Sequence, residues 1–141
     1  MEYERVGRIL EKNFWHYHRF LEKRNMSIAQ WLNTEKITSE LINYIVEKIV
    51  REIQPEKIIL FGSYARGDFN QDSDLDIFII KDGKKSSRIM RRKVESLLCG
   101  RRFPMDLIVR KPKEVEWNFR AQNSFYLYHI FKECFWWCKL F

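Results

Sequence analysis

The stretch from Ile58 to Ile80, IILFGSYARGDFNQDSDLDIFII, leaves this chain of 141 residues few folds to choose from. Four apolar residues, Ile58, Ile59, Leu60 and Phe61, run into a turn that opens on Gly62 and Ser63. A polar connection follows, and a second apolar run ends at Ile80. Short apolar runs bounded by turn residues read as strands. The second opens on two aspartates, Asp74 and Asp76, one residue apart. Strand side chains alternate between faces, so both carboxylates are predicted to point the same way, with Cα atoms roughly 7 Å apart.

Two carboxylates in one small volume repel each other, by up to about 4 kcal/mol at 4 Å and an effective dielectric near 20. The SDLDIF stretch holds no Lys or Arg to cancel the repulsion. A divalent cation answers the problem, because Mg²⁺ takes hard oxygen ligands and keeps its other positions for waters and substrate phosphates. If the two strands pair as a hairpin-like unit, Gly62 and Ser63 lie at the same end of the sheet as the aspartates. A glycine followed by a hydroxyl lets backbone approach an anion and donates to phosphate oxygens. Gly62 and Gly67 also have P-loop spacing, but Asp68 and Phe69 stand where Lys and Ser or Thr belong, which removes that reading.

The rest of the chain builds around this unit. Apolar residues at three- and four-residue spacing predict an amphipathic N-terminal helix over residues 3–24, packed on its own domain or on a partner. His16 and His18 on it do not share a face and make a poor metal pair. Residues 25–36 have no clear period and read as a loop or a short helical turn around Ile28 to Leu32. A second helix is predicted from Thr38 or Ser39 to Ile53, capped by a hydroxyl and stopped by Pro55. After Ile80, Ser86 and Ser87 cap a helix to about Leu98, Gly100 ends it, and Met105 to Val109 forms a third strand. Strand, helix, strand makes a right-handed crossover with parallel strands. Parallel neighbours start at the same edge, so Asp106 is expected beside Asp74 and Asp76. A polar helical stretch covers residues 113–118. The tail, CFWWCKLF over 134–141, is either tucked into the core or exposed at an interface, and an interface is the expectation because large apolar patches are seldom left in water.

The order Gly62-Ser63-Tyr64-Ala65-Arg66-Gly67, then Ser73-Asp74-Leu75-Asp76, then Asp106 within Met105-Asp106-Leu107-Ile108-Val109, resembles the signature of the DNA polymerase β-like nucleotidyltransferases. The match is nearest to the branch called minimal nucleotidyltransferases, over about residues 38–109 and weakly to 133. The resemblance implies an α/β (α+β) fold: a small mixed sheet with strands near 57–61, 74–80 and 105–109, flanked by helices, with an extra N-terminal helix. The expected organisation is an extension over 1–36, the nucleotidyltransferase domain over 37–133 and the aromatic tail over 134–141.

The resemblance further implies that Asp74, Asp76 and Asp106 bind two Mg²⁺ ions, with Asp106 accepting the proton of the attacking hydroxyl. Gly62 and Ser63 would hold the triphosphate of ATP. Arg66 either touches a phosphate or packs on the sheet and pairs with Asp68, and Tyr64 is expected to pack. AMP would pass to a hydroxyl, by resemblance a tyrosine of a helical HEPN-type RNase toxin that the chain silences as antitoxin. Two alternatives stand beside it: an antitoxin that acts by binding alone, and a transferase for a small molecule or an RNA 3′ end.

Charge and composition bound the rest. A net charge of +7 without an RNA-binding signature does not require nucleic acid as partner. Three cysteines, Cys99, Cys134 and Cys138, form neither an even framework nor a CxxC pair, and no signal peptide or membrane span is visible. The expectation is a cytoplasmic protein that oligomerises, if at all, through the N-terminal helix or the aromatic tail.

Overall fold

A computed structural model describes residues 28–130 and 135–138, so the helix expected over 3–24, with His16 and His18, lies outside the described residues. The first described element, α1 (Ile28–Leu32), is the short turn expected there, and Leu32 is already core, in one cluster with Leu41 and Ile45. Its carbonyl accepts the amide of Arg102 at 3.2 Å. Leu32, just ahead of the boundary expected at residue 36, thus packs with the residues that follow it.

Helix α2 (Ser39–Ile53) begins where Thr38 Oγ1 accepts the Leu41 amide at 3.2 Å. It ends at Gln54, in the left-handed region with φ 51°, just before Pro55. Between them Leu41, Ile42, Ile45, Val46, Ile49 and Ile53 form one buried stripe. Helix α4 (Ser87–Leu97) is capped in the same way by Ser86 and contributes Met90 and Val94. The predicted boundaries of both helices agree with these to within a residue, because side-chain caps fix their starts.

Among the described residues, four strands form one mixed sheet: β1 (Lys57–Phe61), β2 (Leu75–Ile80), β3 (Met105–Arg110) and β4 (Phe135–Cys138), in the order β3-β2-β1-β4. β1 and β2 are antiparallel, while β2 and β3 are parallel across α4, as the crossover requires. Two expectations change. β2 starts at Leu75, whose amide donates to the Pro104 carbonyl at 3.0 Å, so Asp74 stands just ahead of the strand. Within the stretch set apart as a tail, residues Phe135–Cys138 pair antiparallel with β1 and supply a sheet edge.

The alternation of strand side chains divides the core in two. On one face Ile58, Leu60, Leu75, Ile77, Ile79, Leu107 and Val109 meet α1, α2 and α4. On the other, Ile59, Phe61, Phe78 and Ile80 meet Tyr126 and Ile130. Those last two come from a π-helix, Phe125–Ile130, that follows α5 (Pro112–Arg120). Residues 131–134, just past the π-helix, lie outside the described residues. Between β1 and β2 runs a four-residue helix, α3 (Ser63–Arg66). Among the described residues no helix is long and apolar enough to cross a membrane.

Candidate active site

Every candidate residue sits at one end of the sheet, where β1 finishes and β2 and β3 begin. Asp76 and Asp106 are register partners on adjacent parallel strands, so their side chains leave the sheet on the same face. The cross-strand partner of Asp76 on the other side is Phe61, and Gly62 follows at once. Asp76 is half-buried, whereas Asp74 and Asp106 are exposed at the rim.

Gly62 and Asp76 are made for each other. A Cβ added to Gly62 would stand 2.1 Å from Asp76 Oδ2 and 3.0 Å from its Cγ, so the carboxylate would have to move from its place. The backbone adds a second reason, since Gly62 has φ 73° and ψ −156°, a combination essentially restricted to glycine. The glycine therefore admits the carboxylate against bare backbone and turns the chain so that Ser63, half-exposed, opens α3. The amides of Ala65 and Arg66 close the turn on the Gly62 carbonyl at 3.1 and 3.0 Å. Gly67, with φ 85°, ends α3 by donating to the Ser63 carbonyl at 2.8 Å.

The electrostatics record how crowded this rim is. Burial first, then the charges of Asp106 and Asp74, push the Asp76 carboxyl up to about 6, against the opposing pull of Arg66. Arg66 also pairs with Asp68, Nε to Oδ2 at 3.3 Å, as one reading of it expected, and its charge is felt at the Asp76 carboxyl. Tyr64 packs against the main core and stacks on Phe69, with ring centroids 4.5 Å apart and planes 11° apart.

Among the described residues, no group of three or more His, Cys, Asp or Glu side chains closes into a cage that would hold a metal ion by itself. An open rim of carboxylates suits Mg²⁺ better than a cage, because this ion binds through one or two carboxylates and fills its shell with waters and substrate phosphates. Mutual repulsion that raises a carboxyl pKa is what a bound cation relieves. The donor set therefore fits a hard divalent cation carried in with a phosphate ligand.

Strand periodicity and the parallel crossover bring Asp76 and Asp106 to one edge, and Asp74 stands just ahead of β2. Sequence patterning did not find Phe61 and Gly62 as the wall against Asp76, since that contact depends on the β1–β2 register and not on spacing.

The family model for the nucleotidyltransferase domain matches residues 42–132. Two curated proteins of Methanocaldococcus jannaschii, each named "Putative protein adenylyltransferase", are similar in sequence. One is 49% identical over 51 residues, 36% of this chain and 49% of the relative. The other is 56% identical over 25 residues, 18% of this chain and 25% of the relative. The chain thus spans about half the length of the first relative and a quarter of the second. A crystal structure titled as a "putative nucleotidyltransferase" from Sulfolobus solfataricus covers 67% of this chain and 83% of that chain, at 26% identity and a TM-score of 0.44.

Proposed function

The chain belongs to the nucleotidyltransferase domain family over residues 42–132, and from that premise we propose that it moves AMP from ATP to a protein hydroxyl and releases pyrophosphate. The acceptor oxygen forms a new bond to the α-phosphorus as the bond to the β-phosphate breaks. One observation carries this reading: Asp76 and Asp106 are register partners at the rim where Gly62 makes room for the Asp76 carboxylate.

Asp74, Asp76 and Asp106 would hold Mg²⁺, two ions in this reading, which supplies Lewis-acid polarisation of phosphate oxygens and favours the ionised form of the attacking hydroxyl. Everything else falls to the chain. Gly62 keeps side-chain bulk away from the phosphates, and the Ser63 hydroxyl donates to a β- or γ-phosphate oxygen. Arg66 adds a positive charge beside the same anion, shared with Asp68. Asp106, exposed at the rim on β3, would take the acceptor's proton onto its carboxylate. The ionised form of the half-buried Asp76, which burial and its acidic neighbours disfavour, would be favoured by a divalent cation bound at the rim.

The names carried by the two M. jannaschii relatives support a protein as acceptor. The resemblance to minimal nucleotidyltransferases supports a tyrosine of a HEPN-type RNase toxin, with the chain acting as antitoxin. The test is to incubate the purified chain with Mg²⁺, ATP and the product of the adjacent gene and to weigh both proteins by mass spectrometry. An AMP adduct that disappears with Asp74→Asn or Asp76→Asn is the expected result. A tight complex with no adduct would instead mean neutralisation by contact, and a labelled RNA or small molecule would move the acceptor away from protein.

A further inference from the structure

The carboxylates, Gly62 and Ser63 handle phosphate and metal, and none of them reads a nucleoside base. The same face of the sheet supplies a candidate. Phe61, the cross-strand partner of Asp76, meets Phe125 edge to face, with centroids 6.1 Å apart and planes 89° apart. Phe125 is thus one ring removed from the acidic rim. Its neighbour Tyr126 turns inward, 5% exposed and edge-on to Phe78 at 5.7 Å, whereas Phe125 keeps 40% of its surface in solvent. His129 leans on it at 5.6 Å and 39°.

The ring is held in place and does not dangle. Asn123 Oδ1 accepts the Phe125 amide at 3.1 Å, and Asn123 Nδ2 donates to Asn118 Oδ1 at 3.0 Å, tying the start of the π-helix to α5. An exposed aromatic fixed by its backbone offers a π-face at little entropic cost.

We propose that Phe125, backed by Phe61 and flanked by His129, is the platform on which the base of the nucleoside triphosphate stacks. This rests on the nucleotidyltransferase reading above and adds the substrate contact that the reading lacks. A base is favoured over a protein side chain because phosphate-handling and aromatic groups lie on one face, joined through a single residue, as the two ends of one nucleotide require. Stacking tolerates any base, since each has a π-face. Phe125 therefore sets affinity for nucleoside over bare phosphate more than choice among bases.

Calorimetric titration of the full chain with ATP and with inorganic tripolyphosphate, both with Mg²⁺, tests this. Phe125→Leu, which keeps apolar bulk and removes the π-face, is expected to weaken ATP binding about tenfold, leave tripolyphosphate binding and the thermal midpoint unchanged, and be rescued by Phe125→Trp. Unchanged ATP affinity in Phe125→Leu, or a parallel loss of both ligands, overturns the platform alone while wild type still binds both. If wild type binds neither ligand, or Asp76→Asn weakens neither, the catalytic reading of the rim fails and the platform falls with it.

Discussion

The two faces of the central sheet are built from the same strands and do different work. On the α2 and α4 face, β2 contributes Leu75, Ile77 and Ile79, each at most 1% exposed and surrounded by aliphatic side chains from three helices. On the opposite face it contributes Phe78 and Ile80, with Asp76 at the position where the alternation calls for a third apolar residue. Among the described residues, one face gathers twenty buried residues into the main core, and the other gathers six beside a carboxylate. The larger core holds the strands in register so that the smaller one can carry a charge at its rim.

That division is most exposed to test at Asp76 itself. Asp76→Asn is expected to lower AMP transfer by about 10³-fold or more, the scale of losing an electrostatic contact made to the transition state, measured as single-turnover rates of adduct formation. The opposite face should respond in stability instead. Ile77→Ala leaves a cavity in the main core and is expected to cost about 2–5 kcal/mol by urea denaturation. Gly62→Ala lies between the two: its methyl group collides with Asp76 Oδ2, so transfer should fall by about 10²-fold, with a stability loss of about 1–3 kcal/mol from the strained backbone.

A smaller effect runs the other way and sharpens the contrast. The Asp76 carboxyl is raised from 3.8 to about 6, so without metal the folded state binds its proton more tightly than the unfolded chain. Its contribution is fully present below the ordinary carboxylate pKa and is lost as pH rises through about 6. Asp76→Asn should therefore stabilise the metal-free protein at pH 8, by about 1 kcal/mol after discounting for solvent at the open rim, and the gain should disappear at pH 4. Thermal melts at the two pH values check this. The same variant that removes activity is expected to melt higher, the usual relation at a site strained for function.

The smallest expected effect lies away from the site. Glu114 accepts the Lys111 amide at 2.6 Å and the Ser87 hydroxyl at 2.5 Å, pinning the start of α5 to that of α4. Partial burial works against its charge, but these bonds and the nearby Arg110 and Lys111 charges hold its pKa below the usual range. Glu114→Gln should cost about 0.5 kcal/mol at neutral pH, and the cost should fade as pH drops through the carboxylate range, since a lowered pKa stabilises only while the group is ionised.

The parts of this architecture legible from sequence are those that local chemistry dictates. Thr38 and Pro55 bracket α2, Ser86 starts α4, and the period of two together with a parallel crossover brings Asp76 and Asp106 to one edge. What stayed hidden depends on pairing between distant segments. The start of β2 at Leu75 is set by its bond to Pro104, the fit of Gly62 against Asp76 by the β1–β2 register, and the edge strand Phe135–Cys138 by its partners in β1. Four consecutive bulky residues, FWWC, carry no alternation that would mark one face, so a strand there is not readable from pattern. The π-turn of Phe125–Ile130 is equally silent, because apolar spacing does not separate a five-residue hydrogen-bond span from four.

Co-crystallisation with Mn²⁺ and a non-hydrolysable ATP analogue, read by anomalous scattering, puts the rim to the most direct test. Density for the ion is predicted between Asp76 and Asp106, with triphosphate oxygens completing its shell beside Gly62 and Ser63. An ion and nucleotide bound elsewhere on the domain, with these carboxylates facing only water, would contradict it.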